Sequence, residues 1–164
     1  MSVLISSIYF SPVKSLSFIN IKSCEVKKDL GILNDRKFAF SRIINSERAH
    51  LIEKNPSERK LENFLSLKNS PVLNKYNFTY KDNKLALMLG VKELISITAD
   101  NLDQRSILIN KLVELESSLM KPISLLQNNE FPFYDTSHSN KIFNSISLIN
   151  LKSIQDLEKK INEK

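Results

Sequence analysis

The chain has 164 residues and a net charge of +6, and 41% of its residues are hydrophobic. This composition predicts a folded chain with a real core and argues against general disorder. Because the only glycines are Gly31 and Gly90, the chain cannot form a P-loop or a dinucleotide-binding turn, which need several glycines for close backbone approach to phosphate.

Nothing in the chain predicts a membrane or secreted protein. No apolar run reaches the ~18 residues of a membrane span, and the N-terminus lacks the basic and apolar regions of a secretory signal. The single cysteine, Cys24, cannot form an internal disulfide, so we expect a cytoplasmic protein. The positive charge is typical of an anion-binding protein or of a compositional bias toward Lys, Asn and Ile. The scattered lysines, interleaved with glutamates, favour the second interpretation.

The first part of the chain predicts mainly β-structure. We expect strands over 3–10, 16–27 and 36–44, with a turn at 28–34. The apolar alternation of the second strand slips, which predicts a bend of the kind that closes small barrels. A polar turn near 55–58 is followed by a short candidate helix over 59–67.

The second part predicts a hairpin, a helix and a final strand and helix. Strands over 76–80 and 85–89 flank a turn at Asp82-Asn83, and 93–98 adds a strand. A helix begins at Asp100 as N-cap and ends before Pro122, with an apolar stripe typical of core packing. We expect an irregular stretch over 123–140 and a buried strand over 146–149. A last helix, with Asn150 as its N-cap, is expected over 150–164.

Two short motifs at predicted strand ends carry anion-binding residue types. Lys14 and Ser15 follow the break at Pro12, and Arg36 follows Asp35 at the entry to the third strand. A lysine supplies a compact charge, a serine a hydroxyl donor and an arginine a planar fork that matches phosphate oxygens. The alternative is that these are solvated strand ends, with Asp35 and Arg36 forming an ordinary turn and ion pair.

The order of these motifs resembles the start of the MOSC N-terminal domain. The residues concerned are Ile8 to Leu16 (Ile-Tyr-Phe-Ser-Pro-Val-Lys-Ser-Leu), then Gly31, then Asp35-Arg36 with an aromatic residue at Phe38. That β-barrel precedes the MOSC domain in proteins such as the mitochondrial amidoxime-reducing components and their bacterial relatives. The run Phe133-Tyr134-Asp135 and the segment 147–157 are similar to the entry of the MOSC domain itself.

The resemblance implies a mainly β protein with α-helices (α+β). Residues 1–122 would form the small N-terminal β-barrel domain with a helix, and 123–164 the incomplete beginning of a MOSC β-barrel domain. It also implies a cofactor, molybdopterin, whose phosphate and pterin are held partly by Lys14, Ser15 and Arg36. Ser153, in the first turn of the last helix, matches a further cofactor-binding serine, and a helix N-terminus suits an anion.

The resemblance implies a molybdenum-dependent oxidoreductase of N-hydroxylated compounds, or a sulfur carrier, with a redox partner. Pyridoxal phosphate binding is only an association of that family. The cysteine that carries molybdenum or sulfur is expected beyond the last helix, so we expect this chain to be inactive and to bind no cofactor stably by itself. We therefore assign no catalytic residue and no metal ligand, and interpret Cys24 as a small core residue.

An alternative is a basic β-barrel module that binds RNA or another polyanion. Tyr76, Phe78 and Tyr80 alternate on one predicted strand, as stacking platforms would, although such alternation is more typical of a core. A Ser–His–Asp triad among 135–139 is disfavoured because three such residues in one loop seldom face each other. Glu114 and Glu116 are two apart on a helix and are expected in solvent.

Overall fold

The structure, a computed structural model, describes residues 4–16, 18–28, 30–134, 146 and 149–162. Three 3₁₀ turns (Pro56–Glu58, Leu61–Asn63 and Pro71–Lys75) lie between the first helix and β6. The strands and α-helices of these ranges are β1 (Ile8–Phe10), β2 (Ile19–Ile21), β3 (Val26–Lys27), β4 (Gly31–Ile32), β5 (Phe38–Arg42), α1 (Ser46–Lys54), β6 (Tyr76–Lys81), β7 (Lys84–Leu89), β8 (Lys92–Thr98), α2 (Leu102–Leu115), β9 (Ile123–Gln127) and α3 (Leu151–Asn162).

The strands form four small antiparallel sheets, which are β1–β2, β3–β4, β5–β9 and β6–β7–β8. The expected mixture of helices and strands is confirmed. A closed barrel is not formed by the hydrogen bonds of the described residues. The first four strands are only two or three residues long, and each pairs with one neighbour, so they do not link the small sheets into a barrel.

The hairpin of β6 and β7 is confirmed, and β8 extends it into a three-stranded meander. Asp82 and Asn83 form its turn with φ angles of 49° and 59°. Two successive left-handed residues give the turn a twist that matches the strands, and Asp and Asn tolerate this conformation. Gly90, with φ 59°, turns the chain from β7 into β8.

The β5–β9 pair lies between two hydrophobic clusters, so it is buried on both faces. Phe38 and Phe40 point into a main cluster, whereas Ala39 points into a second one, as the two-residue period of a strand requires. The second cluster contains Ala39, Ala49, Ile52, Phe64, Leu126 and Phe133. The main cluster includes Val13, Leu16, Phe38, Phe40, Leu65, Leu73, Tyr76, Phe78, Leu85, Leu87, Ile97, Leu108, Leu112 and Leu125.

Two helices differ from the expectation. Helix α1 was not expected; its N-cap Asn45 accepts a hydrogen bond from the Arg48 amide at 2.9 Å. The helix expected over 59–67 is wrong, because that stretch forms only a 3₁₀ turn followed by extended chain. Helix α2 is confirmed, although its N-cap is Asn101 rather than Asp100.

The segment after α2 was expected to be irregular, and this is wrong for β9. All five residues of β9 pair with β5, so the strand that begins directly after residue 122 shares a sheet with β5. Of the strand expected over 146–149, the two end residues are exposed and lie outside any strand. Residues 147 and 148, like the disfavoured triad at 135–139, are outside the described residues.

Helix α3 is confirmed, with Asn150 accepting a hydrogen bond from the Lys152 amide at 2.9 Å. Its apolar residues Ile154, Leu157 and Ile161 are exposed by 38%, 58% and 63%, so the described part of the chain leaves this stripe uncovered. None of the described α-helices combines the length and the hydrophobicity needed to traverse a lipid bilayer.

Glu116 is buried, which corrects the expectation that it points to solvent. The chain leaves the helical conformation at this C-cap residue, so its carboxylate turns back toward the core. It accepts a 2.6 Å hydrogen bond from the Tyr76 hydroxyl and pairs with the Lys75 ammonium. The hydrogen bonds from Lys75 and Tyr76 hold the pKa of Glu116 below its ordinary value of 4.5. Glu114 is exposed, as expected.

We expect Glu116→Gln to reduce the stability of the fold at neutral pH and to flatten its dependence on acid. A carboxylate with a lowered folded pKa stabilises the protein above its unfolded pKa, and this contribution is lost as the pH falls through the folded pKa. The difference between the urea midpoints of the two proteins should therefore be largest at about pH 7 and should shrink as the pH falls to about 3. Glu114→Gln is the matched control, and an identical loss in that variant would contradict the assignment.

Candidate functional site

The motif residues lie in two loops that are fastened to each other. Between β1 and β2, the Ser11 hydroxyl donates to the carbonyl oxygens of Val13, at 2.6 Å, and Leu16. The apolar side chains of these two residues are almost fully buried. The Lys14 amide donates to the Phe38 carbonyl at 2.8 Å, which ties the loop to the start of β5. This anchoring fixes the backbone of Lys14 and Ser15, and Ser15 has a left-handed φ of 57°.

Asp35 joins the second loop to the first. Its buried carboxylate accepts a 2.8 Å hydrogen bond from the Ser11 amide, and the Arg36 amide donates to the Ser11 carbonyl at 2.6 Å. Nε and Nη2 of Arg36 donate to Oδ2 of Asp35 at 3.0 and 2.6 Å. The ion pair considered as the alternative at this turn is therefore present, and it orients the guanidinium.

Lys14 and Arg36 meet at the segment after β9, at Phe133 and Tyr134. The Lys14 ammonium, 4% exposed as a residue, donates to the Phe133 carbonyl at 3.1 Å. The Arg36 guanidinium lies 4.4 Å from the centre of the Tyr134 ring, and the Phe133 amide donates to the Arg36 carbonyl at 2.8 Å. The structure therefore places Lys14, Ser15 and Arg36 in one corner of the molecule, which we call the motif corner.

Arg59 also holds the segment after β9, and no sequence pattern predicted this role. It is 5% exposed and donates to the carbonyls of Phe131 and Pro132 at 2.8 and 3.1 Å. It also donates to the carbonyls of Ile52 and Glu53 at the end of α1. Burial lowers the pKa of Arg59 to about 10, because removing the guanidinium from water disfavours its charged form.

Ser153, the fourth predicted cofactor residue, is not brought to the motif corner by any contact of the described residues. It lies in the first turn of α3 and is exposed. Its assignment stays a prediction. Cys24 lies in the bend between β2 and β3 and is only half-buried, so its interpretation as a core residue is wrong.

The aromatic residues on β6 belong largely to the core. Tyr76 and Phe78 are 3% and 1% exposed, so their rings cannot stack on bases. Tyr80 is half-buried and packs edge-on against Phe38, with ring centres 5.0 Å apart. The feature that pointed to an RNA-binding module is therefore explained by packing.

The motif corner suits a phosphate group better than it suits a metal. It offers a lysine, an arginine and a serine hydroxyl against one carboxylate, and these are groups that bind phosphate oxygens. Within the described ranges, no three His, Cys, Asp or Glu side chains are grouped as metal ligands. The motif corner therefore holds residue types that can contact phosphate oxygens.

Comparisons of the chain with family models, with curated proteins and with solved structures give no match. The resemblance to the MOSC N-terminal domain therefore depends on the motif residues themselves. Their arrangement in the motif corner is the structural observation on which a function can be proposed.

Proposed function

We propose that this chain is part of a molybdenum-cofactor protein of the MOSC type, and that the motif corner binds the phosphate of molybdopterin. The observation that carries the proposal is the meeting of Lys14 and Arg36, from separate loops, at consecutive residues of the segment after β9. Both motifs that resemble the family contribute a cation to this corner.

The surroundings of each cation support a binding role. The Lys14 backbone is tied to β5, and Asp35 orients the Arg36 guanidinium. Groups fixed before binding lose little conformational entropy when the ligand arrives. Ser15, next to Lys14, adds a hydroxyl that can donate to a phosphate oxygen. Lys14 and Arg36 also contact the chain itself, so the corner combines a structural role with the proposed one.

In this proposal these residues would hold and orient the cofactor. Redox or sulfur-transfer chemistry is what a molybdenum cofactor supplies when bound. Lys14 and Arg36 would neutralise the phosphate, and the N-terminus of α3 at Ser153 would contribute a further anion contact. The same proposal includes a cytoplasmic location, a redox partner and a role in reducing N-hydroxylated compounds or in carrying sulfur. It does not include a domain boundary after residue 122, because all of β9 pairs with β5.

Arg36→Ala tests the phosphate contact directly. Because a hydrogen bond to a charged group contributes about 1.5–3 kcal/mol, we expect a loss of tenfold or more in affinity for inorganic phosphate. The measurement is an NMR titration of the chain, followed at the backbone amides of residues 14, 15 and 36. In a chain that carries a whole MOSC domain after residue 164, purified from a host that makes molybdopterin, the same variant should lower molybdenum and pterin content.

Arg42→Ala is the control, because Arg42 is on the far end of β5 and contacts the Glu62 carbonyl and the Met120 sulfur. It should bind phosphate as the unchanged chain does. Equal affinity in Arg36→Ala and Arg42→Ala, with unchanged molybdenum and pterin content, would refute the proposed phosphate contact.

A further inference from the structure

A cleft of about 230 Å³ lies beside the motif corner. Its polar lining consists of two lysines, Lys27 and Lys37, and three asparagines, Asn34, Asn128 and Asn129. Its remaining lining is apolar. Pockets for drug-sized ligands have volumes of about 300–1,000 Å³, so this cleft has the size for a smaller molecule.

The charge of the cleft is positive. Among the described lining residues two are cationic and none is acidic. One of the two lysines, Lys27, has an acidic partner: Oε1 of Glu25 lies 3.8 Å from its ammonium. Both side chains of this pair are more than half exposed, and exposed pairs of this kind are weak. The residues that line the cleft therefore carry a net positive charge.

Lys37 is the more firmly held of the two lysines, through contacts with Tyr80, which lies outside the lining of the cleft. Its ammonium donates to the Tyr80 hydroxyl at 2.7 Å and lies 4.5 Å from the centre of the same ring. The Tyr80 ring is held in turn against Phe38. A long lysine side chain normally loses much rotamer freedom on binding, and these contacts remove part of that cost beforehand.

The asparagines have different roles in the cleft. Asn128 shapes its wall, because its side-chain oxygen accepts the amides of Glu130 and Phe131 at 2.9 and 2.7 Å, and its nitrogen donates to the Glu53 carbonyl. Asn34 has a left-handed φ of 66° and, with Asn129, adds side-chain amide groups to the lining. Amide N–H groups donate to the oxygens of phosphates and carboxylates.

We propose that this cleft binds a small anion that carries phosphate or carboxylate groups, with Lys37 as its main contact and Lys27 as a second. The site uses none of Lys14, Ser15, Arg36 or Ser153. The proposal therefore does not rest on the molybdopterin assignment, and the two can fail separately.

The test is an NMR titration of the chain with inorganic pyrophosphate and, separately, with citrate. We expect saturable shifts at the backbone amides of residues 34, 37 and 129 with at least one of the two anions, and the preferred anion identifies the ligand class. Lys37→Gln should weaken binding about tenfold, and Lys27→Gln about threefold because that side chain is more exposed. Lys92→Gln, an exposed lysine on β8 outside the cleft, should bind as the unchanged chain does.

Two further variants keep the result interpretable. Tyr80→Phe retains the ring but removes the hydroxyl that orients Lys37, so it should weaken binding while leaving the spectrum of a folded protein. If Lys37→Gln fails to fold, the anion affinities of Lys27→Gln and Tyr80→Phe test the proposal instead. The proposal is overturned if neither anion binds, or if the cleft variants bind as tightly as Lys92→Gln. It is also overturned if the shifts fall only at 14, 15 and 36 and disappear in Arg36→Ala, which would leave the motif corner as the binding site.

Discussion

Replacing Arg59 with alanine should lower the free energy of unfolding by about 3 kcal/mol, because four carbonyl oxygens, all buried or partly buried, lose their charged donor at once. These carbonyls belong to the end of α1 and to Phe131 and Pro132. The guanidinium also lies 4.1 Å from the centre of the Phe133 ring, so the variant loses packing as well as hydrogen bonds. Urea denaturation measures the total effect.

The matched control is Arg42→Ala, whose side chain is only half-buried and makes its hydrogen bonds at the surface. A surface substitution of this kind is expected to change stability by no more than about 0.5 kcal/mol. Hydrogen exchange gives the spatial test: in Arg59→Ala the Phe133 amide, which bonds to the Arg36 carbonyl, should lose protection before the amides of β7 do. An Arg59→Ala protein as stable as Arg42→Ala would show that Arg59 does not fasten this segment.

Phe40→Ala should cost about 4 kcal/mol, since it leaves a large cavity where the main cluster meets β5. The ring is 1% exposed and its centre lies 5.5 Å from that of Phe78. The Phe40 carbonyl also accepts the Leu65 amide at 2.9 Å, so a shift of β5 into the cavity would disturb that bond. Again the measurement is the urea unfolding transition.

Phe18→Ala removes the same atoms from a side chain that is 75% exposed, and it should cost less than about 0.5 kcal/mol. Phe40→Leu fills most of the cavity and should cost about 1.5 kcal/mol or less. Equal losses in Phe40→Ala and Phe18→Ala would contradict the placement of Phe40 in the core.

The local elements of this fold were predictable where their determinants are local. The β6–β7 hairpin follows from two β-rich runs around Asp82-Asn83, and α2 follows from its apolar spacing and an N-terminal cap. β9 was missed because its five residues become a strand only by pairing with β5, and Ser41 and Ser124 are 83 positions apart. Helix α1 was missed because only Ala49 and Ile52 of its residues are buried, too few to form an apolar stripe.

The candidate site was predictable to a similar extent. The motifs around Lys14 and Arg36 indicated a shared corner, and both residues do reach the segment after β9. The contact between Lys14 and Phe133 spans 119 positions, and no pattern near either residue encodes it. Arg59 follows a polar turn like many solvated arginines, so its burial depends on carbonyl groups that only the folded chain brings together.

The position of β5 between the two hydrophobic clusters also determines how the protein unfolds. Its alternate side chains belong to both hydrophobic clusters, so neither cluster can open while the other stays packed around an intact strand. The two clusters should therefore unfold in a single cooperative step. A destabilising substitution on either face of β5 should lower the stability of both clusters. Helix α3, which buries none of its residues within the described chain, takes no part in that step.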